Sequence, residues 1–387
     1  MPLIPVRTEG FAYGGEAFGR LPDGRICFFR GGVPGETAEL ELLCSKRSFA
    51  RGVLRGVSEA SPDRVAPVCP LAVRPGGGAF CPGCSFQQVD YSVELRWKQR
   101  QLEDFLLRGK LADVSTIATP VPSPSRFGWR NRIKLSRVGG STGFFAEDNE
   151  SIVPVEHCPL VVPALDAALS EYRDLPGDGE VSLRWTGADG VVAADGSREL
   201  TESLEGFGTF SVPATSFFQT NPQVAAQLLH GAVGMLENIG ARRLLELYCG
   251  VGVFSLAAAQ TMPELRTFSV ELDKAAIGCA RRNAASRKLA DRCRFAVGNA
   301  EKWRKLPEGA PPDAVLVDPP RRGLSVRLIE AVKRWRVPHM IYVSCAPDTL
   351  ARDLKLLSDT YRVGRCRLYD MFPCTAHFET LTRLDLQ

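Results

Sequence analysis

The chain has 387 residues, 44% of them hydrophobic and 24% charged, with a net charge of +4 at neutral pH. That length predicts two or three domains, and that composition excludes a disordered or collagen-like chain. No apolar run is long enough to span a membrane, residues 1–7 lack the apolar core of a signal peptide, and a cytoplasmic protein is expected.

Residues 1–60 hold short β-like runs broken by turn residues, among them Gly14-Gly15, Pro22-Asp23-Gly24 and Gly31-Gly32-Val33-Pro34-Gly35. Arg25-Ile26-Cys27-Phe28-Phe29 and Ala38-Glu39-Leu40-Glu41-Leu42 are strand candidates, the second with clean alternation. Strands this short and this closely spaced predict a small barrel. Twelve cysteines then need a reason, and without a signal peptide they point to free thiols, metal ligands or catalysis. Cys69 and the Cys81-Pro82-Gly83-Cys84 pair form a local group, and Cys158 is the best further candidate outside the C-terminal domain. The spacing is consistent with zinc, a redox pair or an iron–sulfur cluster, and does not separate them. His157 is an alternative ligand beside Cys158.

Residues 93–107 read as a helix with Arg and Lys on its polar face. Between residues 96 and 137 there are ten Lys/Arg and three Asp/Glu, which predicts a basic surface able to meet phosphates. Within it, Arg130, Arg132 and Lys134 alternate with Asn131, Ile133 and Leu135, so a strand would carry the cations on one face. The turn signals Pro176-Gly177-Asp178-Gly179 and Gly187-Ala188-Asp189-Gly190 bracket a strand over 180–186. Asn221 is suited to cap a helix over 223–236, with Pro222 at its first position.

From about residue 240 strands and helices alternate, the pattern of a parallel sheet with crossover helices. Leu244-Leu245-Glu246-Leu247-Tyr248 is a strand, and Cys249-Gly250-Val251-Gly252 turns out of it into a helix. Ser255 stands where a dinucleotide fingerprint would have its third glycine. The next strand, Phe268-Ser269-Val270-Glu271, ends in an acid placed to bind ribose hydroxyls, so a nucleoside cofactor is expected. Ala314-Val315-Leu316-Val317 leads to Asp318-Pro319-Pro320-Arg321 at the same sheet edge. Amino-group methyltransferases often have an aromatic residue just after a similar Pro-Pro pair; here that position is Arg321, so no ring is available to stack on a target, which argues against methylation of an exocyclic amine. His339-Met340-Ile341-Tyr342-Val343 is a buried strand, and a helix follows with Asp348 as its expected N-cap. Cys345 therefore lies at the ligand-binding edge, before a helix N-terminus that lowers a thiol's pKa while the Asp348 charge works against it.

Together these stretches resemble the RNA 5-methyluridine methyltransferases, which use S-adenosylmethionine. The similarity runs through SFFQTN, LELYCGVGVFSL, VDPPRRG, YVSCAPDTLARDL and DMFPCTAHFETL. GEAFGRLPDGRICFFRGGVPGE is similar to the TRAM domain, an RNA-binding barrel. The resemblance implies an α/β chain with three parts. These are a TRAM-like, OB-like barrel over 1–60, a mixed α+β central domain over 61–235, and a Rossmann-like methyltransferase domain over 236–387. It implies Cys69, Cys81, Cys84 and Cys158 as ligands of a 4Fe-4S cluster, Cys345 as nucleophile and Glu379 as base. Read without the resemblance, Glu379 would be an exposed carboxylate on an edge strand. Gln219, Tyr248, Glu271, Asn299 and Asp318 match cofactor-contacting positions. The chain departs from the family pattern in its longer Cys69–Cys81 spacing, in Val253 and in Cys374. The expected partner is RNA, with 23S rRNA as the RNA class and tRNA as the alternative. No membrane or protein partner is implied, and a monomer is expected. A nucleotide-dependent oxidoreductase and an inactive RNA-binding protein are the readings from other classes.

Overall fold

The structure is a computed structural model that describes residues 3–78, 80–172, 177–196 and 198–387. Of the turn expected before residue 180, Pro176 lies outside the described residues. The chain forms two compact units. The first comprises residues 1–101, 125–183 and 372–377, and the second residues 102–124, 184–371 and 378–387.

The first unit opens with strands β1 (Ile4–Phe11), β2 (Ala17–Arg20), β3 (Ile26–Phe29), β4 (Thr37–Ser45) and β5 (Phe49–Glu59). They close into a barrel in the order β1-β2-β3-β5-β4, with β3 and β5 parallel and the other pairs antiparallel. Alternation decides which residues fill it: Val6, Ala17, Cys27, Phe29, Ala38, Leu40, Ala50 and Leu54 point inward and are buried. The barrel expected from the sequence is present, in an OB-like strand order.

Helix α1 (Tyr91–Arg108) follows, and the chain passes into the second unit for β6 (Ile117–Val121). It returns for β7 (Arg132–Val138), β8 (Ser141–Phe145), β9 (Ile152–Pro154) and the short helix α2 (Pro163–Ala168). β7, β8 and β9 pair antiparallel in sequence.

The basic surface predicted for 96–137 is only partly a surface. Lys98 and Glu94 are both fully buried and pair at 2.7 Å, one helical turn apart. Lys98 also donates to the Phe372 carbonyl at 3.2 Å. Arg126 donates to the carbonyls of Phe86 and Val89 at 2.9 and 2.6 Å. Arg130 lies before β7 and turns its guanidinium toward cysteines, while Lys134 is exposed and pairs with Glu180 at 2.6 Å. The sequence counts these cations correctly but does not say that several of them tie chain segments together.

β10 (Gly179–Thr186) carries the chain to the second unit again, followed by β11 (Gly190–Ala193) and the hairpin β12 (Glu199–Leu204) and β13 (Gly208–Pro213). Helix α3 (Pro222–Asn238) begins as expected: the Val224 N–H donates to the Asn221 side chain, and Pro222 is at the first position. The alternating region then supplies β14 (Arg243–Leu247), α4 (Val253–Thr261), β15 (Arg266–Glu271), α5 (Lys274–Ser286), β16 (Cys293–Val297) and β17 (Ala314–Val317). It ends with α6 (Val326–Trp335), β18 (His339–Ser344), α7 (Pro347–Leu357), β19 (Tyr361–Tyr369) and β20 (Glu379–Leu386).

The strands of the second unit's main sheet run in the order β16-β15-β14-β17-β18-β20-β19-β6. β14 to β18 are parallel, and β20 enters antiparallel between β18 and β19. The order reverses at β14, which has β15 on one side and β17 on the other, and ligands bind at the carboxyl edge of such a switch point. Because β20 is antiparallel, its first residue lies at that same edge. Among the described residues, no helix is long and apolar enough to cross a membrane.

Candidate active site

Five loops of the second unit meet the carboxyl edge with a chemically useful side chain. Tyr248 follows β14, Glu271 ends β15, Asn299 follows β16, Asp318 follows β17 and Cys345 follows β18. The turn after β14 is built for close approach. Gly252 caps α4 at φ 81°, and a Cβ there would lie 2.6 Å from the Phe295 ring. Tyr248 itself has φ 66°, a left-handed conformation that costs a non-glycine residue about 1–3 kcal/mol and that clusters at functional sites.

Next to this turn is a pocket open to solvent. Gln219, Tyr248, Gly250 and Asp318 line it, with Phe217, Phe218 and Phe254 as apolar walls. Among the described residues, Gln219 Oε1 and the Tyr248 hydroxyl are buried without a hydrogen-bond partner. Buried polar atoms left open in this way suit a polar ligand. Burial raises the Asp318 carboxyl to about 7.

Glu271 and Asn299 stand at the predicted edge but are already engaged. The N–H groups of Gly250, Leu272 and Asp273 donate to the Glu271 carboxylate at 3.0, 2.6 and 3.0 Å. Glu271 thus holds the glycine turn against the end of β15. The Glu301 N–H donates to Asn299 Oδ1 at 2.9 Å, an N-cap of a short helical turn.

Cys345 sits between β18 and α7 and is half-buried. Its electrostatic neighbours are Glu379, Asp318 and Arg321. Burial first, then the two carboxylates, push the thiol up to about 12, against a smaller opposing effect of Arg321. Burial and the two carboxylates thus oppose the helix N-terminus at this thiol. The cap differs from the sequence expectation: Ala346 occupies the N-cap position with Pro347 first in the helix, and Asp348 lies inside the first turn. Glu379 is buried at 4% exposure on an interior strand, not exposed on an edge strand. Burial, and secondarily Asp318, hold its carboxyl well above the usual range, and its Oε2 has no hydrogen-bond partner among the described residues.

Two supporting residues were not singled out from the sequence. Asp353 is fully buried and accepts from the Tyr342 hydroxyl at 2.8 Å and the Leu324 N–H at 2.7 Å, tying the turn after Asp318 to β18 and α7. Glu246 is buried beneath the glycine turn, where Ser255 and Ser269 donate to its Oε2. An acid inside the apolar run Leu244–Leu247, followed by a serine in the next helix, was the available signal.

In the first unit Cys69, Cys81, Cys84 and Cys158 line one small apolar cavity, with Gln87 and His157. Burial raises the Cys81 thiol to about 11 and raises those of Cys84 and Cys158 as well. Gln87 accepts from the Cys69 N–H at 3.0 Å and donates to Cys84 Sγ at 3.2 Å. Half-buried Arg130 faces Cys158, Cys84 and Cys81. His157 is exposed and pairs with Asp166 at 3.2 Å. Among the described residues, no three His, Cys, Asp or Glu side chains converge closely enough to hold an ion.

The strand order, the switch-point pocket and the glycine turn backed by an acid define a Rossmann-like methyltransferase. Residues 206–305 and 311–385 match the family described as tRNA (Uracil-5-)-methyltransferase. Uncharacterized RNA methyltransferases of Corynebacterium efficiens and Corynebacterium glutamicum are 31% and 30% identical, each across 98% of this chain and 93% and 96% of their own length. The Pyrococcus abyssi tRNA (uracil-54, C5)-methyltransferase, solved with S-adenosyl-L-homocysteine, has the same fold, with a TM-score of 0.74 at 24% identity over 98% of this chain and 100% of that one. The chain belongs to the RNA uracil-5 methyltransferase family.

Proposed function

We propose that this protein transfers the methyl group of S-adenosylmethionine to carbon 5 of a uridine in 23S rRNA, through a covalent adduct on Cys345. The observation that carries the reading is the meeting of Cys345, Glu379 and Asp318 at the carboxyl edge, in the unit that holds the Gln219–Tyr248–Asp318 pocket. The orphaned Gln219 and Tyr248 atoms and the Glu271-braced turn fit a nucleoside with a polar tail. When bound there, the methyl donor supplies an electrophilic methyl group and a positive charge.

Carbon 5 of uracil is a weak nucleophile until a thiolate adds to carbon 6. Once the Cys345 and Glu379 protons have passed to solvent, the Cys345 sulfur forms that bond, and the electron pair displaced onto carbon 5 would take the methyl group, leaving the donor as a neutral thioether. The Glu379 carboxylate then removes the proton on carbon 5, the carbon 6–sulfur bond breaks, and the thiolate returns. Arg321 is the chain's own cation favouring the anionic forms of Cys345 and Glu379. The uridine has to leave its stack to reach this edge, so an unpaired or flipped nucleotide is the expected substrate. Residues 1–60 are read as a TRAM-like module holding RNA, residues 61–235 as the cluster-bearing part and residues 236–387 as the catalytic part.

Cys69, Cys81, Cys84 and Cys158 are read as ligands of one 4Fe-4S cluster. Soft thiols around one cavity, with a cation facing three of them, suit a thiolate-bound group. Protein purified without oxygen is expected to carry iron and sulfide and to lose both on Cys84→Ala. Stoichiometric zinc without iron overturns the assignment.

The matched family description and the archaeal structure name tRNA, which favours tRNA as the second reading. Mapping 5-methyluridine in rRNA and tRNA from cells lacking the gene separates the two. In vitro, Cys345→Ala should abolish methylation and any covalent RNA complex. Glu379→Gln should form the methylated adduct but release it slowly, so that it accumulates on denaturing gels. If Glu379→Gln binds RNA and donor but forms no adduct, the order of steps is wrong.

A further inference from the structure

The loop between β13 and α3 carries Gln219, and both of its ends are fixed. At the β13 end, Arg184 of β10 is buried and donates to Glu202 of β12 at 2.7 Å. Its Nη1 also donates to the carbonyls of Ser216 at 3.3 Å and Ala214 at 3.5 Å, and its guanidinium lies 5.7 Å from the Phe218 ring. At the α3 end, Asn221 is fully buried and caps the helix. Its side-chain nitrogen donates to Ser123 Oγ at 3.3 Å and to the Met371 carbonyl at 3.2 Å. Between these anchors Phe217 is exposed.

A side chain of this loop also reaches the turn after β15. Ser216 Oγ donates to Asp273 Oδ2 at 2.6 Å, across 57 residues of sequence. Asp273 is exposed and has two other roles. Its N–H donates to the Glu271 carboxylate at 3.0 Å, and its Oδ1 caps α5 by accepting from the Ala275 N–H at 2.8 Å. The single bond from Ser216 therefore joins two segments of the site. One carries Gln219, three residues after Ser216, and the other carries Glu271, two residues before Asp273. Gln219 Oε1 is an open acceptor lining the pocket, and Glu271 braces the glycine turn beside it.

We infer that Ser216 and Asp273 form a latch that holds the Gln219 loop to the Glu271 turn and so presets two sides of the methyl-donor site. Both are positioning residues, acting through Gln219 and Glu271. A loop already held in its binding shape loses less freedom when the donor arrives, and a loosened loop lets the donor leave sooner. Arg184 and Asn221 keep the ends of the loop in place, so opening the latch frees only the span between them. Water competes for an exposed hydrogen bond, so the latch adds little to global stability and its effect is local. The inference rests on the reading of this pocket as the S-adenosylmethionine site and adds what joins its sides.

The test compares the full wild-type chain with three variants. Ser216→Ala removes the hydroxyl and Ser216→Thr keeps it. Asp273→Ser keeps a helix cap but is too short to reach Ser216. Backbone hydrogen exchange over residues 215–219, read by mass spectrometry without ligand, should quicken about two- to tenfold in Ser216→Ala and Asp273→Ser. Ser216→Thr should exchange at the wild-type rate. Exchange in β14 and β17 and the urea midpoint of Ser216→Ala should not move, whereas a general loss of stability would shift both. Release of S-adenosylmethionine, followed by stopped flow, should quicken by the same factor as loop exchange and return to the wild-type rate with threonine. Loop exchange unchanged in both Ser216→Ala and Asp273→Ser overturns the latch. Faster loop exchange with unchanged donor release also overturns it, leaving a surface hydrogen bond with no part in the site. Wild-type protein that binds no S-adenosylmethionine overturns the donor reading, whereas donor that binds and leaves wild type and all variants alike overturns the latch alone.

Discussion

Ser344 pairs with Thr380 across β18 and β20, and Cys345 and Glu379, each one residue nearer the carboxyl edge, are electrostatic neighbours there. The antiparallel insertion of β20 makes this possible, since it brings the start of the last strand to the end of the fifth parallel one. The result is a thiol beside two carboxylates with raised pKa values. Such a site holds its protons until a positive charge arrives.

The resting thiol gives a direct check. With the Cys345 pKa pushed up to about 12, alkylation by iodoacetamide in the free protein should rise about tenfold per pH unit between pH 7 and 9. Peptide mass spectrometry of Cys345 across that range measures it. A plateau near pH 8 would show a thiol already ionised without ligand.

Glu271 should matter for donor binding in two ways. Its carboxylate accepts from the Gly250 N–H of the glycine turn and from the Leu272 and Asp273 N–H groups after β15, and the proposed donor site would set it at the ribose. Glu271→Ala should weaken S-adenosylmethionine binding by about 1.5–3 kcal/mol, read by calorimetry. Unchanged affinity would remove both roles.

Glu246 should make stability depend on pH. Burial raises its carboxyl from 4.5 to about 7, so the folded state binds the proton more tightly than the unfolded chain. Stability should therefore be full below pH 4.5, fall as pH rises to 7, and level off above at a loss of about 3 kcal/mol. Glu246→Gln should lack this fall and be the more stable protein at pH 8. Urea unfolding at pH 5 and pH 8 compares them.

Lys98 and Glu94 form a fully buried pair, with Arg126 3.8 Å from the same carboxylate. Lys98→Met should cost about 1.5–3 kcal/mol, because it removes the 2.7 Å charged partner of a buried carboxylate while Arg126 stays. Adding Glu94→Gln should recover part of that loss while keeping an acceptor for the Cys374 N–H, which donates to Glu94 at 2.7 Å. Equal stability of the single and double variants would show that the pair is not coupled.

Much of this was legible in the residues themselves. Two-residue alternation in Ala38–Leu42 and the spacing of turn residues indicated a barrel, and each run from Leu244 to Val343 indicated a strand ending at one edge. These are local signals, because side-chain period and turn chemistry act over a few residues. The positions of Tyr248, Glu271, Asp318 and Cys345 at that edge followed from them. The environment of each group did not. Lys98 reads as a solvated helix cation, yet it is buried because Glu94 and the Phe372 carbonyl satisfy it. Arg130 reads as part of a basic strand face, yet it turns to three cysteines brought from distant segments. Cys345 reads as a thiol before a helix N-terminus, yet burial and the carboxylates of Asp318 and Glu379 oppose that helix. Burial and charge proximity are sums over neighbours far apart in the chain, and only the tertiary structure fixes which neighbours those are.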